Sequence, residues 1–408
     1  MQDLRKDLLE RFVSYTAFDT MSDPEMVGIK RPTTDIQIVL LEHLRDQLRE
    51  LGIPAEIGRD MVVAGTLKGN VECPTIGFMA HVDTAHDCEG HGVKAQVWDY
   101  EGGDIKLNDS VTLTVEENPD LDLYKGSKVI TSDGTTLLGS DDKAGVSEIM
   151  SAVKYLVEHP EVKHGDIEIY FTPDEEVGSG LDTFDYGKVK AAACYTIDGA
   201  REGEVETECF NAAQVHVKVE GVSIHLGSAR GIMVNAVTIL SQIVSSLPQA
   251  ESPEATDGRY GYYCPLEMKG SGTEAELDIF IRDFDMDSFK FRIEAVEKLC
   301  EAMNFIYRGK AEIKSTISYY NMAEVNKQTP KATEAVFSAA EKLGIDAYSS
   351  IIRGGTDGAR MANEHRISCP NVFTGGHNLH SVREWVALEA MNRAANLVLG
   401  IADEWTRQ

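Results

Sequence analysis

The sequence has no run of 18 or so apolar residues, no Cys-x-x-Cys pair, no internal repeat and no low-complexity tract. Without such an apolar run no bilayer-spanning helix is expected, because a span needs about 20 residues of that kind. Seven cysteines, at positions 73, 88, 194, 209, 264, 300 and 369, are odd in number and scattered along the chain. They predict reduced thiols in a cytoplasmic protein rather than a disulfide framework. The opening Met1-Gln-Asp-Leu-Arg-Lys-Asp-Leu-Leu-Glu-Arg11 is charged where a secretory leader would be apolar, so no export is expected. Positive charge is the other shortage: 39 Lys and Arg stand against 67 Asp and Glu, a net charge of -28. That excess repels phosphate backbones and anionic lipid and favours cations, so neither a nucleic acid nor a membrane is expected as a partner.

What is present describes an ordinary globular chain of 408 residues, 42% hydrophobic and 26% charged, long enough for two or three domains at roughly 150 residues each. Ile38, Leu41, Leu44, Leu48 and Leu51 recur at helical spacing and stop at Gly52, a natural helix end. Pro74-Thr-Ile-Gly-Phe-Met-Ala-His-Val-Asp83 is a largely apolar run of strand length that ends in polar residues, the pattern of a buried parallel strand. A helix is predicted over 144–158, then strands at 167–172 and 192–197, and this alternation implies an α/β sheet. Gly- and Asp-rich residues 85–131 interrupt it and are expected to form an insertion near the site.

From residue 214 the order becomes strand 214–220, helix 233–247, strands 262–269 and 274–282, helix 286–302 and strand 311–319. This β-α-β-β-α-β order is ferredoxin-like. The expected architecture is a mixed α/β sheet flanked by helices in residues 1–210 and 321–408, with a ferredoxin-like second domain inserted over 211–320.

Five polar clusters fall where strands of the first domain are predicted to end: His81-Val-Asp83, Asp141-Asp142-Lys143, Asp174-Glu175-Glu176, Asp198 and His377-Asn-Leu-His380. Ligands of open α/β sheets bind outside the carboxyl ends of the strands, so the clusters are expected to converge. Imidazole and carboxylate together suit zinc in a hydrolytic site, with no cysteine for a closed structural one. Two histidines and three carboxylates suffice for two metals if one carboxylate bridges.

The segments Gly77-Phe-Met-Ala-His-Val-Asp83, Leu137-Leu-Gly-Ser-Asp-Asp-Lys-Ala-Gly145, Phe171-Thr-Pro-Asp-Glu-Glu-Val-Gly178, Tyr195-Thr-Ile-Asp-Gly199, Arg353-Gly-Gly-Thr-Asp-Gly358 and Phe373-Thr-Gly-Gly-His-Asn-Leu-His380, in this order, resemble the peptidase T family of two-zinc metallopeptidases. The resemblance implies an aminopeptidase that removes the N-terminal residue from short peptides, typically tripeptides. It also implies a homodimer built through the inserted lid domain, and two Zn2+ per subunit, with Mn2+ or Co2+ as alternatives.

It further implies that His81 and Asp198 bind one metal, Glu176 and His380 the other, and that Asp141, two residues before Lys143, bridges them. Asp83 would hydrogen-bond the His81 imidazole, and Glu175 would act as general base toward the attacking water and acid toward the leaving amine. His225 would stabilise the oxyanion from the neighbouring subunit, while Asn235, Arg282, Arg353 and Thr356 would contact the peptide.

Two positions depart from the family pattern. Leu226 follows His225 where proline is usual, and His377 replaces a tyrosine, bringing a polar group or a competing ligand near the metals. His86 and His91 are expected at the surface. Dipeptidases, carboxypeptidases and N-acyl deacylases share the metal cluster, so it is the whole-chain likeness that selects an aminopeptidase. A non-catalytic relative would not need Glu175.

Overall fold

The computed structural model describes residues 1–407 and separates into two compact units. One comprises Met1–Thr207, Met322–Ser350 and Thr356–Gln408, the other Glu208–Asn321 with Ile351–Gly355. Among the described residues no helix is long and apolar enough to cross a membrane.

The first unit is built on an eight-stranded mixed sheet in the order Ala55–Ile57, Val63–Leu67, Ile167–Thr172, Ile76–His81, Ala193–Gly199, Asn371–Phe373, Glu204–Cys209 and Tyr348–Ile352. Its middle is parallel: Ile76–His81 pairs with Ile167–Thr172, His81 opposite Thr172, and with Ala193–Gly199 on the other side. Every residue of Ile76–His81 and of Ile167–Thr172 is buried. A strand covered on both faces is mostly apolar, which explains the runs in the sequence. Buried Glu168 is an exception, and its carboxylate accepts the N–H groups of Lys190 and Ala191 and the Tyr170 hydroxyl.

The helix predicted over 144–158 is observed as Ser140–Glu158, with Val146, Ile149, Met150, Val153 and Leu156 in the core. Its first residues are not regular, since Asp141 and Asp142 have dihedrals outside the helical range. The chain turns there, and that turn projects the Asp141 side chain away from the helix axis.

Residues 85–131, expected as an insertion near the site, carry strands of their own: Gln96–Tyr100 and Ser127–Thr131 join Trp385–Ala387 and Gly376–His377 in a second, four-stranded sheet. Tyr100, Leu113, Leu121, Tyr124 and Val129 bury themselves around Trp385, giving the segment a core of its own. The segment leading to His380 is thereby attached to ordered structure.

The second unit has a four-stranded antiparallel sheet in the order Tyr262–Gly270, Glu274–Asp283, Asn211–Glu220, Lys310–Tyr319, with helices Ala236–Ser246 and Met286–Tyr307. In chain order this is β-α-β-β-α-β. Ala275, Leu277, Ile279 and Ile281 alternate into its core against Ile239, Leu240, Ile243, Phe289 and Val296, as their period of two demands.

Candidate metal centre and active site

His81 ends a fully buried strand and is itself only 2% exposed. Its Nε2 lies 2.9 Å from Asp141 Oδ1 and 3.3 Å from Asp198 Oδ1. Its Nδ1 faces the Asp83 backbone carbonyl at 3.0 Å and the Asp83 carboxylate at 3.4 Å. The shorter contact goes to the main chain, and the Asp83 side chain, beside the imidazole, does a second job as well. Its two oxygens accept the backbone N–H groups of Glu175 at 3.0 Å and Glu176 at 3.1 Å. Asp83 thus ties the end of strand Ile76–His81 to the loop that carries both glutamates.

That loop is anchored at its start as well. Asp174 sits in the left-handed region at φ 62°. Its buried carboxylate accepts the Thr33 N–H at 2.9 Å, the Thr33 hydroxyl at 2.6 Å and Gln37 Nε2 at 2.8 Å. Arg31 donates to the carbonyls of Ser179 and Gly180 at the loop's far end. Two segments distant in sequence, residues 31–37 and Asp83, therefore hold the loop that carries Glu175 and Glu176.

His380 makes the second half of the cluster. Its Nε2 lies 3.1 Å from Glu176 Oε2 and 3.3 Å from Asp141 Oδ2, while Nδ1 lies 3.0 Å from Asp87 Oδ2. Asp141 therefore stands between the two imidazoles, one oxygen toward each. His81 with Asp141 and Glu176 is one group able to hold a metal ion, and His81 with Asp142 and Asp198 is another. Asp87 was missed in the sequence, because an aspartate in a polar loop carries no signal until the loop is folded against a histidine almost three hundred residues later.

The electrostatics favour cations here. Burial pushes the Glu175 carboxyl well above its ordinary range, with Asp198, Asp357 and Glu176 adding to the rise. Burial raises Glu176 to about 8 and Asp198 to about 7, the nearby Asp141 carboxylate contributing to both. Hydrogen bonds to Asp141 and Glu176 raise His380 to about 12. Glu176 Oε1 is buried without any hydrogen-bond partner. A pocket of carboxylates that has only two imidazoles for countercharge, and that keeps an orphaned oxygen, has the donor set for hard or borderline divalent cations.

Asp142, a member of the group with His81 and Asp198, is also engaged by the backbone. Its oxygens accept the N–H of His81 at 3.2 Å and of Gly145 at 3.2 Å, and it is fully buried. His377 is no competitor for metal in this arrangement: its ring stacks on Trp385 with centroids 4.0 Å apart, and its Nδ1 is 3.7 Å from Asp120. Burial lowers it to about 4, so it is a neutral ring in the wall of the small sheet. His86 and His91 are exposed.

The remaining site residues of the sequence reading make local contacts of their own. Thr356 caps the helix Asp357–His365, its hydroxyl accepting the Gly358 N–H at 3.0 Å. On the second unit, exposed His225 accepts the Gly227 N–H through Nδ1 at 3.2 Å, with Leu226 exposed beside it. Asn235 caps the helix Ala236–Ser246 through Thr238 N–H at 3.2 Å. Arg282 donates to Ile281 and Ala213 carbonyls and lies over the Phe280 ring.

Arg353 belongs to the second unit. Its guanidinium donates to the carbonyls of Gly258, Tyr260 and Thr256 and to the Thr256 hydroxyl, and lies over Phe210. With those donors engaged it acts as a clamp on the 256–260 loop.

Residues 130–404 match the model of peptidase family M20/M25/M40. Peptidase T of Bacillus velezensis is 42% identical over 98% of this chain and 98% of its own, and peptidase T of Bacillus subtilis is 40% identical over 99% and 100%. Among solved structures, the aminopeptidase PepT of Bacillus cereus covers 99% of both chains with a TM-score of 0.77 at 21% identity, which speaks for the fold. The chain therefore belongs to peptidase family M20/M25/M40, among the peptidase T proteins.

Proposed function

We propose that the protein is a two-metal aminopeptidase that releases the N-terminal residue of short peptides, tripeptides above all. The observation that carries this is Asp141 placed between His81 and His380, with Glu175 beside the cluster but outside its direct contacts. His81 and Asp198 would hold one zinc ion and His380 and Glu176 the other, with Asp141 common to both. Manganese and cobalt accept the same donors. Bound there, a metal pair polarises a carbonyl oxygen and acidifies water.

The protein's own residues do the rest. Glu175, its carboxyl raised by burial, takes the proton of the attacking water and returns it to the departing amine. Asp83 holds the Glu175 backbone, so the base stays in register with His81. The likeness to peptidase T supports the tripeptide preference and a homodimer, with the second unit as lid and dimerisation domain. Within that dimer His225, whose Nε2 is left over by its local contact, would serve the partner's site as oxyanion donor, and Asn235 and Arg282 would meet the peptide. Scattered free cysteines support a reducing, cytoplasmic setting.

A free tripeptide and its N-acetylated twin decide the reading. The free peptide should give one amino acid and the C-terminal dipeptide, and the acetylated one should not turn over. Release of the C-terminal residue first would overturn the aminopeptidase assignment.

A further inference from the structure

The turn that delivers Asp141 has little regular structure to hold it. Gly139 is left-handed at φ 81°, and Asp141 and Asp142 are non-helical before the helix Ser140–Glu158 becomes regular. N–H groups at a helix start have no partner within the helix and must find one outside it. Here four successive N–H groups of the turn, from Leu138 to Asp141, find the same one. Glu384 Oε2 accepts the N–H of Leu138 at 2.7 Å and of Gly139 at 2.9 Å. Its Oε1 accepts the N–H of Ser140 at 2.6 Å, the Ser140 hydroxyl at 2.6 Å and the N–H of Asp141 at 3.2 Å. The carboxylate is 1% exposed, so these five donors replace its water. A buried carboxylate at a helix N-terminus is well placed both by charge-assisted hydrogen bonding and by the helix dipole.

The position of Glu384 in the chain gives the knot its meaning. It stands four residues after His380, and its own N–H donates to the Ser381 carbonyl at 3.1 Å. One short segment therefore carries a metal-ligand candidate at one end and, at the other, the anchor for the turn that presents Asp141. The 3.3 Å between His380 Nε2 and Asp141 Oδ2 is set across this link.

We propose that Glu384 is a positioning residue of the metal centre: its carboxylate fixes the Leu138–Asp141 backbone and so holds Asp141 and His380 at the separation needed for Asp141 to serve both metals. This rests on Asp141 being the shared ligand. A purely structural role would show in the stability of the metal-free protein and leave the metals' own environment unchanged. Glutamine keeps the shape of Glu384 but turns an NH2 group toward N–H donors, so it disrupts at least one side of the knot.

The test uses the full-length protein stripped of metal and titrated with Co2+, whose visible absorption reports its ligand geometry. Wild type should take up two ions. Glu384→Gln should keep the far-UV circular dichroism of wild type, bind cobalt about 10–100-fold more weakly, the usual scale for losing a partner of a metal ligand, and show an altered visible spectrum. Ser140→Ala, which removes one of the five donors, should weaken binding by about tenfold, the low end of the scale of one hydrogen bond to a charged group. Cobalt affinity and spectrum unchanged in Glu384→Gln would overturn the proposal. If that variant does not fold, unchanged cobalt binding in Ser140→Ala overturns it instead. Asp141→Ala, measured alongside, checks the underlying reading separately, because wild-type cobalt binding there removes Asp141 from the metals whatever Glu384 does.

Discussion

The two histidines of the metal cluster are held in opposite ways. His81 closes a strand buried on every side, is 2% exposed and touches Asp83, Asp141 and Asp198. His380 sits on a turn at φ 60°, its side chain is 39% exposed, and it is steadied by Asp87 from a polar loop. The first half is part of the core, so its residues must be satisfied for the protein to fold. The second half is assembled from loops and can be disturbed with the core intact. Rigidity on one side and accessibility on the other suit a site that must keep its metals and still admit a peptide.

The largest difference between the halves is expected in stability. His81→Ala removes the buried cation that faces the Asp83, Asp141 and Asp198 carboxylates, and should destabilise even the metal-free protein by about 3–5 kcal/mol, the usual cost of breaking a buried charge pair. His380→Ala should cost about 1 kcal/mol or less, as expected for a partly exposed ion pair. Urea unfolding of the two metal-free variants measures both, and equal losses would erase the distinction.

A second effect concerns protons. In the metal-free cluster His380 is raised to about 12 and Glu176 to about 8, so both hold a proton at neutral pH. Metal must displace those protons, so loading should release them and should weaken as pH falls through the range from 8 to 6. An indicator dye in weak buffer reads the release directly, and metal affinity that does not change with pH over this range would contradict it.

The smallest effect belongs to Asp87. Asp87→Ala frees His380 Nδ1, and because Asp87 is itself exposed the loss in affinity for one metal should be near the low end of the scale for such partners, about tenfold. The other metal should bind as before. Equal weakening of both would mean that the halves are not separable.

The contrast also explains what could be read from the chain. The buried half was legible because a strand covered on both faces is mostly apolar, and the change to His81 and Asp83 then marks a site. The helix Ser140–Glu158 and the alternating strand Glu274–Asp283 were legible for the same kind of reason, a period imposed by burial. The loop half was not. Gln96–Tyr100 is mostly exposed, and its sheet is completed through Trp385–Ala387, near the other end of the chain. No local pattern announces such a pairing. Asp87 and Glu384 act through partners far away in sequence, and so does Arg353, through the carbonyls of Gly258 and Tyr260. Residue types predicted the chemistry, but the contacts that position them had to be seen.

The most direct test of the account is Glu175→Gln, assayed for metal content and tripeptide hydrolysis together. The amide keeps the shape of the side chain and leaves every proposed metal ligand in place, so the variant should retain two metal ions while turnover falls by about 10²–10⁴-fold, the range for a general acid–base group. Turnover close to wild type with both metals bound would contradict Glu175 as the proton carrier, and loss of the metals would mean that Glu175, not its neighbour Glu176, is the ligand.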